Sequence, residues 1–275
     1  MSFMKPKKYE ELRFTDDFMF SKVLTNNPEI CRRLLELFLD IKIKKVLQPE
    51  KQKTIELLAN GKGIRLDVYV DDGEDTIYNI EMQTTLKKDL PKRSRYYQGM
   101  IDLNLIERGA KYRDLKSSFV IFICLEDPFG KNFSVYRFEN VCIQDNTLLL
   151  KDEAVKVFIN AEGELSGISE DLASFLKYLK GEMMENELVK QIETAVEQAR
   201  VHEEWKVEYM TLYLRDQENR EIGREEGREE GREEGLRALV QSLRVFIQEE
   251  ELLYQAIIKN DTYKDISRDT LKKYL

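Results

Sequence analysis

Ile64-Arg65-Leu66-Asp67-Val68-Tyr69-Val70 and Ile77-Tyr78-Asn79-Ile80-Glu81-Met82-Gln83 both alternate in side-chain character, with the acidic stretch Asp71-Asp72-Gly73-Glu74-Asp75 between them. A period of two marks strands, and a short polar stretch with a glycine between two such runs marks a hairpin. A hairpin centred near Glu74 puts Asp67 directly across from Glu81. Facing residues on antiparallel strands have Cβ atoms about 4.5–5.5 Å apart, where like charges are destabilising. Such a pair is kept when a cation sits between the carboxylates, or when they never meet.

The alternation also assigns faces. Ile64, Leu66, Val68 and Val70 share one face of the first strand, and Arg65, Asp67 and Tyr69 the other. On the second strand Tyr78, Ile80 and Met82 oppose Asn79, Glu81 and Gln83. Asp67, Glu81 and Gln83 therefore converge on one face of one sheet. Two carboxylates and a main-chain carbonyl suit a hard divalent ion that keeps several of its waters. Spacing alone leaves a second reading open: polar positions on a solvated strand face.

Composition narrows the chemistry. The 275 residues allow one good-sized core plus an appendage. Charged residues make up 35%, above the usual quarter, which predicts long solvated helices. The single histidine, His202, and the three cysteines, Cys31, Cys124 and Cys142, lack the spacing of a zinc site. The cysteines read as reduced thiols of a cytoplasmic protein. No apolar run is long enough to span a membrane, and the N-terminus lacks the apolar stretch of a signal peptide. The net charge of −8 is uneven: residues 1–120 carry a net +4 and residues 121–275 a net −12. Any nucleic-acid-contacting surface is expected in the first half.

Around the hairpin, residues 9–40 read as helix, with Thr15-Asp16-Asp17 as a cap region and a break near Asn26-Asn27-Pro28. Residues 41–60 read as a linking segment with one more strand or short helix. Pro91 opens a helix that runs to about Glu107, with Gly109 as its stop signal. The apolar run from Ser118 to Leu125 reads as a strand buried on both faces, and Val135–Phe138 and Val155–Ile159 as later strands. This order predicts an α/β sandwich with an open mixed sheet.

From Ser169 onward the pattern is helical and charged. The four-residue repeat Gly223-Arg224-Glu225-Glu226, continued to Gly235, places a glycine in a helix at a cost of about 1 kcal/mol each relative to alanine. It reads as a solvated tether or a weak self-association surface. Amphipathic helices follow it through Ile258.

The quoted residues now carry a resemblance. The Asp67…Glu81-x-Gln83 hairpin resembles the PD-(D/E)XK nuclease superfamily. More closely, the chain is similar to the recombination-promoting nucleases, or PD-(D/E)XK transposase-like proteins. The collinear marks are Thr15–Lys22, Arg65–Tyr69, Asn79–Gln83, Arg93–Tyr97, Lys111–Leu115, Ile121–Cys124, Asp127–Gly130 and the Arg-Glu-Glu-Gly tail. The resemblance implies a restriction-endonuclease-like core with a central mixed sheet flanked by helices, over residues 1–165. Residues 166–275 are then a charged helical extension. It also implies a Mg²⁺-dependent DNA endonuclease, with Mn²⁺ as an alternative, linked to recombination or mobile elements. Asp67 and Glu81 become metal ligands and Gln83 a catalytic position. Asp17 is the candidate third acid and Asp16 the second choice; for either, an N-cap role stays open. Gln83 departs from the superfamily lysine, which would orient water and stabilise developing negative charge. Lys87, Lys88 or Lys92 could reach in from the next segment.

That segment, Lys87 to Arg95, holds five basic residues in nine. Lys87, Lys88, Lys92, Arg93, Arg95 and Tyr97 are expected to contact DNA, mostly through phosphates. Packing is the competing reading for Tyr97. The alternative function is a catalytically weak or inactive DNA-binding module that oligomerises through its C-terminal helices. It is motivated by the missing lysine and the acidic tail. No Asp-Asp-Glu strand-transfer constellation stands out beyond the hairpin.

Overall fold

The computed structural model describes residues 7–55, 63–107 and 109–274. Two helices open the chain, α1 (Asp17–Asn26) and α2 (Pro28–Leu39). Three strands follow: β1 (Glu50–Ile55), β2 (Ile64–Asp71) and β3 (Thr76–Gln83). Helix α3 (Leu90–Leu105) leads to β4 (Ser117–Cys124), β5 (Val135–Phe138) and β6 (Ala154–Asn160). Helices α4 (Glu170–Leu179), α5 (Glu187–Arg200), α6 (Glu203–Arg244), α7 (Glu250–Ile258) and α8 (Arg268–Lys272) complete it.

The six strands form one mixed sheet in the order β1-β2-β3-β4-β6-β5. β2 and β3 are antiparallel, and their register from Val68↔Ile80 to Asp71↔Ile77 centres the hairpin on Glu74. β4 runs parallel to both β3 and β6. Its central place explains its continuous apolar composition, since both of its faces are covered.

Helix α3 covers one face. Its Leu90, Tyr97, Met100 and Ile101 pack with Ile77 of β3, Val120 and Phe122 of β4 and Phe158 of β6. Phe122 stacks on Phe158 at 5.5 Å between ring centres. The residues of the opposite face, Ile80, Ile121, Ile123, Val157 and Ile159, are also buried. Helices α1, α2, α4 and α5 touch one another, and α1 lies against β1 and β2. Phe14, Phe38 and Phe175 interlock in this helical layer. Serine and asparagine caps start its later members: Ser169 Oγ accepts from Leu172 N–H, and Asn186 Oδ1 from Leu188 N–H.

Several expectations shift in detail. The helix expected from residue 9 starts at Asp17, because Leu12 and Phe14 of the preceding segment are spent on the core outside a helix. Tyr9–Glu11 forms only a 3₁₀ turn. The break at Asn27-Pro28 is present, with Pro28 in the first turn of α2. The strand expected within residues 41–60 is β1, at the sheet edge; residues 56–60 lie outside the described residues. Composition divides the chain near residue 165, whereas packing separates Met1–Val207 from Glu208–Leu275. The apolar face of α5 (Leu188, Ile192, Val196) is fully buried, and α5 contacts α1, α2 and α4.

In the second unit the end of α6 packs with α7 and α8 through Leu236, Val240, Leu253, Ile257, Tyr263 and Leu271. The glycine repeat lies within α6 as continuous helix. A Cβ at Gly223, Gly227 or Gly231 would meet nothing, whereas one at Gly235 would collide with the Tyr263 hydroxyl. Among the described residues no helix is long and apolar enough to cross a membrane.

Candidate active site

The β2–β3 ladder stops at Val68↔Ile80. At the next position side chains take over from the backbone. Asp67 N–H donates to Glu81 Oε1 at 3.1 Å, and Met82 N–H donates to Asp67 Oδ2 at 3.2 Å. On the other flank of β2, the β1 pairing passes from Lys51↔Val68 to Lys53↔Leu66 and skips Gln52, which sits at φ 49. The left-handed glutamine interrupts the pairing opposite Asp67 while the register stays the same on either side. Ser21 of α1 donates its hydroxyl to the Asp67 carbonyl at 3.4 Å. Asp67 is thus held at the point where the strands part, with both of its ladders interrupted.

The electrostatics follow from this confinement. The Glu81 side chain is 1% exposed. Burial, reinforced by the Asp67 charge, pushes its carboxyl well above the usual carboxylate range. Burial, reinforced by Asp17, pushes Asp67 upward as well. Arg93 of α3 opposes both shifts. Its Nη2 donates to Glu81 Oε2 at 2.9 Å, its Nη1 to Gln83 Oε1 at 2.9 Å, and its Nε to the Tyr97 hydroxyl at 2.9 Å. Gln83 Nε2 donates to the Thr85 carbonyl at 2.7 Å, which fixes the direction of the amide.

The other expected residues divide clearly. Asp17 is the first residue of α1 and is exposed; partial desolvation by its neighbours and the Asp16 charge raise its carboxyl. Asp16 is the N-cap residue but makes no cap hydrogen bond into the helix. Its carboxylate instead accepts from Arg13 N–H at 2.8 Å and pairs with Lys7 at 2.6 Å. Asp17 therefore belongs electrostatically to the site, whereas Asp16 serves its own turn. Lys87 lies close enough to lower the Asp17 pKa. Lys87, Lys88, Lys92 and Arg95 are exposed, while Tyr97 is buried with its ring 6.1 Å from that of Phe122. The packing reading of Tyr97 describes its ring, and its hydroxyl meets Arg93.

Three neighbours were not anticipated as site residues. Arg65 acts on Asp67 and Asp17 as a nearby cation. Ser21 holds the Asp67 backbone. Asn79, on the same face of β3 as Glu81, is fully buried, and its side chain lies close enough to lower the Glu81 pKa. Only the alternation of β3 pointed to Asn79 beforehand.

The donor set suits a hard divalent cation. Asp67 Oδ1 carries no hydrogen bond among the described residues, and a second cation would relieve the mutual repulsion of Asp67 and Glu81. Among the described residues, no cluster of three or more His, Cys, Asp or Glu side chains is already arranged as a metal cage.

A family model described as PD-(D/E)XK nuclease family transposase matches residues 14–164, more than half of the chain. No curated protein and no solved structure matches significantly. The matched span runs from Phe14 to Glu164, so it contains the whole sheet and every residue of the site.

Proposed function

The chain belongs to the PD-(D/E)XK nuclease family transposases, and from that membership we propose that it is a Mg²⁺-dependent DNA endonuclease acting in recombination or element mobility. The observation that carries the reading is the Asp67–Glu81 pair: a half-buried and a fully buried carboxylate that meet where β2 and β3 part. Asp67 and Glu81 would hold Mg²⁺ or Mn²⁺, with Asp17 adding negative charge from α1. The bound ion would supply charge neutralisation at a phosphate oxygen and a water of lowered pKa. Lys87, Lys88, Lys92 and Arg95 line the loop and the exposed side of α3, where phosphates of a DNA backbone would be held. Gln83 orients its neighbours as a neutral hydrogen-bonding group.

Plasmid cleavage with Mg²⁺ or Mn²⁺, wild type against Asp67→Ala, tests the assignment. The expected result is divalent-dependent nicking or cutting that the variant loses. Full activity of Asp67→Ala would falsify it.

A second reading is a nuclease-fold module that binds DNA without cutting it and self-associates through the helices of residues 223–258. It is favoured by Glu81 being already paired with Arg93. It predicts DNA binding that EDTA leaves intact, no cleavage by the wild type, and a sedimenting species larger than one chain.

A further inference from the structure

We propose that Arg93 supplies, from helix α3, the positive charge that the Glu81-x-Gln83 motif lacks, with Gln83 as its positioning residue. The inference rests on the nuclease reading above and adds to it the group that would touch the scissile phosphate.

The geometry of Arg93 sets it apart from the other basic residues near the site. Lys87, Lys88, Lys92 and Arg95 are exposed. Arg93 is fixed at three points, on Glu81, Gln83 and Tyr97. Its guanidinium also lies 5.1 Å from the Tyr97 ring centre and 5.3 Å from that of Phe122. Arginine normally gives up several rotatable bonds on binding a ligand; here they are frozen in advance. A guanidinium has five N–H donors, and the three hydrogen bonds above leave two of them. The side chain keeps 25% of its surface exposed. Arg93 can therefore donate to a phosphate oxygen without releasing Glu81 or Gln83.

Gln83 then has a chemical reason to be glutamine. Its Nε2 is anchored on the Thr85 carbonyl, so its Oε1 is turned to Arg93 Nη1. A lysine at this position would press an ammonium group against the guanidinium. An amide oxygen accepts from it instead. The charge has moved from strand β3 to the first turn of α3, and the residue left behind on the strand has become its acceptor.

The test uses the full chain and four variants: Arg93→Ala, Arg93→Lys, Gln83→Lys and the double variant Gln83→Lys/Arg93→Ala. Three quantities are read: Mn²⁺ affinity by calorimetry without DNA, the salt dependence of DNA binding in Ca²⁺, and plasmid cleavage in Mn²⁺. Arg93→Ala is expected to lose about 10²–10³-fold in cleavage, the usual effect of removing one preorganised charge donor. It should still bind Mn²⁺, and its log–log salt slope should fall by about one. Arg93→Lys should recover part of the cleavage. Gln83→Lys alone should be impaired, and the double variant should cut at least about tenfold faster than Arg93→Ala.

Arg93→Ala cleaving at the wild-type rate or faster would overturn the proposal, because Arg93 would then be a plug on Glu81. A cleavage loss accounted for by lost Mn²⁺ binding, with an unchanged salt slope, would overturn it in favour of a structural role. A double variant no better than Arg93→Ala would break the link between Gln83 and Arg93. If the wild type does not cut, the nuclease reading fails by itself, and the salt slope still decides whether Arg93 meets a phosphate.

Discussion

Glu81 and the glutamates of the Arg-Glu-Glu-Gly repeat are one side chain in two environments. Glu81 is buried, whereas Glu225, Glu226, Glu229 and Glu230 are exposed along α6. In the sheet, a carboxylate is confined by Asp67 across the hairpin and by α3 above it, and its pKa rises. In the helix, water screens each charge. The same chemistry costs little in the second unit and is concentrated in the first. Charge matters here through confinement, and the sheet is what confines it.

This contrast can be broken or sharpened by substitution. The largest stability effect is expected at Phe122, fully buried between Tyr97 and Phe158. Phe122→Ala should cost about 3–5 kcal/mol, read by chemical denaturation; a cost below 1 kcal/mol would mean that the α3 face is loosely packed. In the second unit Leu253→Ala should cost about 2–5 kcal/mol, seen as lost hydrogen-exchange protection across α7. Next comes the glycine pair. Gly235→Ala, which meets Tyr263, should destabilise by about 1–3 kcal/mol. Gly227→Ala, which meets nothing, should stabilise by about 1 kcal/mol. Thermal melts of the two variants should therefore move in opposite directions, and movement in the same direction would show that the repeat is packed.

The gentlest test is a drift with pH. Asp67 and Glu81 have pKa values raised on folding. The folded state then holds protons that the unfolded chain, with carboxyl pKa values near about 4, has already released. Their contribution is fully present in acid and is lost as pH rises towards and through the raised values. Metal-free wild type should lose stability relative to Asp67→Asn between mildly acidic and alkaline pH, and Mn²⁺ should reverse the loss. A difference curve that rises with pH would contradict the confinement of the pair.

Much of the first unit was legible because its signals are local and periodic. The alternation at Ile64–Val70 and Ile77–Gln83 implied a hairpin centred on Glu74, and the ladder has that centre but ends at Val68↔Ile80, one position short of Asp67 and Glu81. The apolar run at Ser118–Leu125 implied a central strand, and β4 is central. The unit defined by packing runs past the matched span, to Val207. Helices α4 and α5 are charged on one face like those that follow, and only their packing assigns them to the first unit. In the site, Asp67, Glu81 and Gln83 could be placed on one face by counting. Arg93 could be counted only as one basic residue among five. Its selection depends on which turn of α3 lies over β3, a long-range fact with no periodicity to announce it. Ser21 escaped notice for the same reason, whereas Arg65 could be placed on the Asp67 face but not given a role.

By itself, then, the sequence determined the hairpin, its facing carboxylates, the buried central strand and the helical character of the tail, because each follows from side-chain spacing along a regular backbone. Tertiary structure alone decided that the β2–β3 ladder ends at the carboxylates, that the β1 pairing lapses at Gln52 opposite Asp67, and that Arg93 joins Glu81 to Gln83. These depend on where separate elements meet in space. Burial between those elements raises the carboxyl pKa values and fixes a flexible arginine in place.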